Sequence, residues 1–457
     1  MAGIGFELRK LLVKRSYAGL LQAYTYAGII SSGPWVLSIV GIMLIGVLSF
    51  AIVVPNYLIT QFQVTVTYLF LSSLVLTGIV QLSFTRFVAD RIFAKDEASI
   101  LPNFNGLLFV AINLSLLVAL PVALFLFPEQ SVLYRLLFAV GMAIMSAIWI
   151  ATVFLTGMKQ YKAIVVIFFF GYSATLILAV LFRYLFNMEG LLLGFVLGHF
   201  LLLVGMIWLI YKHHHSDRLI AFDIWAKGAM YKSLMVTGFF FNLGVWIDKL
   251  MFWYYPITSQ AVIGPLRASV IYDIPIFLSY LTVIPGMAVF LVRIETDFVE
   301  YYMKFYDAVR EGATLEFIER MRNHMVYYVQ RGLFDIAKIQ SITVLVVFLV
   351  GEQVLQWLGI STLYLPLLFI DVVGAGLQVV MLGILNVLFY LDQRRAVVWL
   401  TGTLLVTNVL FTALSLQLGP AWYGYGFALA MLVCVLAGTW FLSRKLESLE
   451  YETFMLR

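Results

Sequence analysis

The stretch Asn105–Phe127, NGLLFVAINLSLLVALPVALFLF, carries no charged residue. Roughly 20 residues at 1.5 Å each cross the ~30 Å hydrocarbon core of a bilayer as a helix. Backbone inside a bilayer must satisfy its hydrogen bonds within a helix or a closed barrel, and barrel strands alternate apolar and polar residues. This run does not alternate, so it reads as a transmembrane helix. Comparable runs recur at 20–54, 61–87, 132–158, 162–185, 190–211, 230–255, 268–293, 333–358, 364–390, 395–417 and 423–443, which predicts twelve spans. Composition agrees: 63% of the 457 residues are hydrophobic and 12% are charged, about half the charged share of a soluble globular protein. The first run far exceeds a signal-peptide core and reads as a retained span. The lone cysteine, Cys434, excludes an intramolecular disulfide.

The loops fix a direction. With a cytoplasmic N-terminus, 25 of the 29 Lys and Arg fall on the inner side. Arg135, Arg183 and Arg267 fall outside, and Lys249 sits within a span. So lopsided a split predicts that both termini are cytoplasmic, because cytoplasmic loops collect positive charge. It also explains the net charge of +5 without nucleic-acid binding.

A weak internal repeat runs along the same frame. Lys159-Gln-Tyr-Lys-Ala-Ile-Val-Val166 resembles Asp392-Gln-Arg-Arg-Ala-Val-Val-Trp399 at an offset of 233, and Gly194-Phe195 resembles Gly426-Phe427 at 232. Arg86-x-x-x-Asp90 matches Arg293-x-x-x-Asp297 at 207, which locates an insertion in the second half after Asp297. The reading is two parallel six-helix bundles, 1–212 and 230–457, joined by a cytoplasmic linker 213–229. A cytoplasmic amphipathic insertion fills 297–331. There Phe298, Tyr301, Tyr302 and Phe305 recur at helical spacing, which predicts an interfacial helix, either a surface for a cytoplasmic partner or a helix lying on the membrane with none.

The opening Met1-Ala-Gly-Ile-Gly-Phe-Glu-Leu-Arg-Lys-Leu-Leu12, with Ser31-Ser-Gly-Pro-Trp35 in the first span, resembles the PelG family. That family comprises inner-membrane transporters of the Pel exopolysaccharide system. The resemblance implies the fold of the MOP flippase superfamily, which also holds O-antigen flippases, the lipid II flippase and MATE exporters. It implies export of an N-acetylgalactosamine-rich, partly deacetylated polysaccharide for biofilm matrix. It further implies a complex with the cyclic-di-GMP receptor PelD, the membrane protein PelE and the glycosyltransferase PelF. It implies no catalytic residue, cofactor or metal.

Charged groups inside spans are costly and are candidates for transport. Asp248 lies 16 residues beyond Lys232, about 24 Å along a helix, so Asp248 and Lys249 fall in the outer half of the seventh span. Asp273 and Asp371 fall at similar depth. One expectation is an acidic, water-filled transport cavity between the halves, holding Asp248, Lys249, Asp273, Asp371, Asn242, Gln81, Ser31, Ser32 and Trp35. The structural alternative is a Lys249–Asp273 bridge near the headgroups. Arg86 with Asp90, and Arg293 with Asp297, are spaced to pair one turn apart at cytoplasmic helix ends. They form either a gate that re-pairs during transport or ordinary anchors. Pro34, Pro275 and Pro285 can break their helices at a substrate site or be tolerated structurally. His213-His-His215 reads as a solvated loop, and His199 as a satisfied intramembrane histidine. No Walker A motif or metal-binding aspartate pair points to an ATPase or a glycosyltransferase. Two alternatives remain: a MATE-type small-molecule or lipid-linked-sugar exporter, ion-coupled through Asp248 and Asp371, and a non-transporting scaffold or membrane-embedded glycosyltransferase.

Overall fold

The computed structural model describes residues 22–30, 38, 40–41, 44–45, 57–158, 160–226 and 230–455. Ser31, Ser32, Pro34, Trp35, Lys159 and the opening motif lie outside the described residues. The chain is nearly all helical, and among the described residues ten helices are long and apolar enough to cross a membrane. It is a multi-pass membrane protein.

From Tyr57 the helices are α1 (Tyr57–Phe93), α2 (Ile100–Phe125), α3 (Val132–Gly157), α4 (Tyr161–His213) and α5 (Lys232–Tyr254). A two-stranded hairpin, β1 (Gln260–Ile263) and β2 (Leu266–Ala268), follows with antiparallel pairing and a bulge between Ala261 and Ile263. Next come α6 (Val270–Leu281), α7 (Ile284–Val292), a π-helical turn (Arg293–Phe298), α8 (Val299–Arg310) and α9 (Leu315–Trp357). The chain closes with α10 (Leu365–Tyr390), α11 (Arg394–Leu418), α12 (Tyr425–Glu447) and α13 (Leu449–Met455).

The long α4 is two helices. Phe186 and Asn187 leave helical geometry, with Asn187 at φ +50° and ψ −122°, outside the left-handed helical region. The arms then run antiparallel: Cβ atoms on Gly190, Gly194 and Gly198 would collide with Phe182, Ala179 and Thr175 respectively. Small residues at these crossings let two membrane helices touch backbone to backbone. The gap in the sequence between the runs 162–185 and 190–211 falls at this reversal.

The offsets of the sequence repeat recur in the structure. Val132–Gly157 and Leu365–Tyr390 are related by 233 at both ends. Gly194 crosses Ala179, and Gly426 crosses Thr412 in the same manner 232 and 233 residues later. Gly141 abuts Val196, and Gly374 abuts Ala428.

Two compact units emerge. One runs from 34 to 246 with 252–269; the other takes residues up to 33, 247–251 and Val270–Arg457. Helix α5 thus contributes to both. In the first unit, residues 214–226 fasten onto the start of α2. The Asn103 amide donates to Asp223 (3.0 Å), the Ala221 amide to the Pro102 carbonyl (2.9 Å), and the Asn105 amide to the Leu219 carbonyl (2.7 Å). A Cβ on Gly106 would strike the Ala221 carbonyl.

In the second unit the eighth predicted span is interrupted. Helix α6 ends at Leu281, and α7 restarts at Ile284 with Pro285 in its first turn. Proline fits that position because its missing N–H would be unpaired there anyway. The 297–331 insertion is not a single helix lying on a surface. It is a helical hairpin made by α8 and the start of α9, closed by Tyr301 stacked on Tyr328 at 4.6 Å. Apolar side chains from both arms fill it: Phe305 and Ala308 of α8, and Ile318, Met321 and Met325 of α9, are buried.

Candidate functional site

Three of the charges singled out in the sequence meet inside the second unit. Asp248 and Lys249, neighbours on α5, are 0% and 1% exposed and form a salt bridge of 3.0 Å. Consecutive helix positions point about 100° apart, so the lysine stem must curl back to reach its neighbour. The pair is held from three other helices. From α6, the Tyr272 hydroxyl donates to Asp248 Oδ2 at 2.6 Å. From the end of the same helix, Tyr280 accepts a 3.1 Å bond from Lys249 Nζ. From α11, Asn408 Nδ2 donates to Asp248 Oδ1 at 3.3 Å, and Thr412 donates to Asn408 Oδ1 at 3.0 Å. From α12, the Phe427 ring lies 4.8 Å from Lys249 Nζ, within cation–π range.

Asp371 of α10 completes the cluster. It is 0% exposed and lies within electrostatic reach of Lys249 and Asp248, yet neither carboxylate oxygen finds a hydrogen-bond partner in the described protein. Gly424, at φ +84° before α12, sits so close that a Cβ would stand 2.9 Å from Asp371 Oδ1. The cluster therefore holds two carboxylates and one ammonium, with that ammonium already paired. The break at Thr282–Val283 follows directly on Tyr280, which bonds the ammonium. A discontinuous membrane helix beside a polar group is the arrangement transporters use at sites that change state.

Several expectations change. Lys249 pairs with Asp248, not in the bridge to Asp273 that was the structural alternative. Asp273 is half-buried on the helix position after Tyr272. Gln81 and Asn242 belong to the other unit and bond to their own helices, Gln81 to Thr77 (2.9 Å) and Asn242 to the Gly238 carbonyl (2.9 Å). Asn242 also packs where a Cβ on Gly78 would be. The structure does not place these two with Asp248.

Both predicted ion pairs form. Arg86 Nε lies 3.0 Å from Asp90, which also accepts from the Tyr231 hydroxyl at 3.1 Å. Arg293 lies 2.9 Å from Asp297 and 2.8 Å from Asp335 of α9. Glu295, between them on the π turn, escaped the sequence reading. It is 7% exposed and accepts from Asn386 and Tyr390, both at 2.9 Å. Its charged neighbours Arg293 and Asp297 made it read as part of a polar helix end.

The first unit buries a neutral polar group instead. Ser38 and Tyr172 share a hydrogen bond, and His199 Nδ1 donates to the Phe195 carbonyl at 2.9 Å while Nε2 faces the Tyr172 hydroxyl at 3.4 Å. His199 is thus hydrogen-bonded inside the fold. Thr175, 233 residues before Asn408, lies 3.4 Å from the same imidazole. Of the three histidines expected in a loop, His213 is the last residue of α4 and bonds to the Leu209 carbonyl at 3.0 Å; His214 packs on Phe154 at 5.5 Å, and burial lowers its pKa against the pull of Glu97. Among the described residues no group of His, Cys, Asp and Glu is arranged to hold a metal.

The model of the PelG family, exopolysaccharide exporter (EPS-E), matches residues 1–454. The chain belongs to the PelG family. No curated protein matches it. Its fold is that of MATE and MOP superfamily transporters. An outward-facing multidrug resistance MATE family transporter superposes with a TM-score of 0.64 at 14% identity, covering 93% of this chain and 96% of that one. A MOP superfamily transporter from Pyrococcus furiosus gives the same values. A Vibrio cholerae MATE transporter gives 0.62 at 10% identity, over 96% of this chain and 98% of its own. Identities this low establish the fold alone. Together with the family, they make this PelG member a membrane transporter.

Proposed function

We propose that the protein exports a Pel-type exopolysaccharide, an amino-sugar polymer, across the bacterial inner membrane for biofilm matrix, and that Asp371 couples the cycle to a cation. The family carries the first half of this reading. Asp371 carries the second: a fully buried carboxylate with no hydrogen-bond partner, beside a lysine that Asp248 already engages. A buried charge left uncompensated costs several kcal/mol. A proton or a monovalent cation arriving at Asp371 relieves that cost and gives the protein two states of different charge. Paired Arg86–Asp90 and Arg293–Asp297 are the cytoplasmic gate in this reading, and the 297–331 hairpin is the contact for PelF, PelD or PelE.

The decisive measurement is polymer export by cells carrying Asp371→Asn at wild-type protein level. Export should fall at least tenfold. Full export would remove the coupling role and leave polymer threading driven by the synthase. The MATE fold favours a second reading, a small-molecule or lipid-linked-sugar exporter. Multidrug resistance conferred by this chain in a sensitive host would support that reading over polymer export.

A further inference from the structure

The last helix of each repeat carries the same exposed ridge. On α4 it is Phe200, Val204, Trp208 and Lys212; on α12 it is Leu432, Leu436, Trp440 and Arg444. Every member of the second set lies 232 residues after its counterpart. The apolar members are 48%, 45% and 62% exposed in the first ridge and 39%, 61% and 51% in the second. Both cations are exposed as well. Each folds back one turn onto its tryptophan: Lys212 Nζ lies 5.0 Å from the Trp208 ring, and the Arg444 guanidinium lies 4.3 Å from the Trp440 ring. Among the described residues neither cation forms an ion pair.

We propose that each ridge is a binding site for one anionic phospholipid of the cytoplasmic leaflet. The dimensions fit. Twelve residues of helix extend about 18 Å, slightly more than one leaflet's roughly 15 Å share of the hydrocarbon. An acyl chain lying along the first three side chains therefore brings its phosphate to the cation. Tryptophan sits at the level where hydrocarbon meets headgroup. Stacking holds Lys212 and Arg444 at that level rather than letting them reach into water, and leaves their N–H groups for phosphate oxygens. The loop charge bias places both helix ends on the cytoplasmic side. The chemistry selects an anionic headgroup, because a zwitterionic one presents its own cation to Lys212 and Arg444. The site depends on the membrane fold alone, so its failure leaves the transport reading untouched.

Native mass spectrometry of the full-length protein, released from nanodiscs of phosphatidylglycerol or phosphatidylcholine, tests this. Wild type should retain phosphatidylglycerol on two sites with about fivefold preference over phosphatidylcholine, the effect of one basic residue at a charged surface. Lys212→Gln should remove the preference at one site and Arg444→Gln at the other, while Lys212→Arg and Arg444→Lys keep both. Soluble glycerol phosphate should not compete. These side chains are exposed, and an unchanged melting temperature in phosphatidylcholine confirms folding of each variant. Equal retention of the two lipids, undiminished retention in the double Gln variant, or a protein dimer covering the ridges would overturn the proposal.

Discussion

The sharpest residue-level contrast lies between Asp248 and Asp371, two buried carboxylates that share one lysine. Asp248 is bonded by Lys249, Tyr272 and Asn408, whereas Asp371 is bonded by nothing in the described protein. Asp248→Asn keeps the shape but leaves a buried ammonium without its bonded counter-charge, which costs about 3 kcal/mol. Asp371→Asn removes a charge that no donor serves, so thermal stability in detergent should hold or rise even as export falls. In the double variant Lys249 has no carboxylate left, and the loss should exceed the sum of the singles. Additive melting shifts would show that Asp371 and Lys249 are uncoupled. The charges themselves were legible, because an ionised group in an apolar run stands out. Their partners were not: which of 25 tyrosines reaches Asp248 depends on how α6 is rotated about its axis, and no spacing reports that.

At the scale of elements, close helix crossings in each unit rest on glycine. A valine at Gly194 or Gly426 would meet the backbone of Ala179 or Thr412, and forcing the arms apart should cost about 1–3 kcal/mol. Gly157 ends α3 with nothing within 4 Å of where an added methyl would stand, so Gly157→Ala should be neutral or gain a few tenths of a kcal/mol. Melting temperatures of the three variants in one detergent would check this, and equal losses in all three would refute the crossing argument. The reversal at Phe186–Asn187 and the break before Pro285 both left marks in the sequence, one as a gap between apolar runs and the other as a proline. The hairpin of α8 and α9 was legible only in part. Periodicity gives a helix an apolar face, but not the identity of what covers it, and here Phe305 is buried by the protein itself.

For the whole molecule, the charge bias and the repeat offsets were the long-range information in the sequence, and both come from many residues acting together. The expectation that remains open to direct measurement is sidedness. Cys434 is buried, so a cysteine placed elsewhere can be labelled against a silent background. With an impermeant maleimide on intact spheroplasts, Glu129→Cys should react. Glu311→Cys, at the turn between α8 and α9, should react only after lysis. The reverse pattern would invert the topology.

The length of α9 has a practical consequence. Its 43 residues span about 64 Å, roughly twice the ~30 Å hydrocarbon core. A rigid rod of density must therefore stand clear of any detergent belt, and the first repeat has no such insertion. In electron micrographs of single particles this rod is a built-in fiducial. It marks the second repeat and lets a membrane protein of only 51.8 kDa be aligned without an attached antibody fragment.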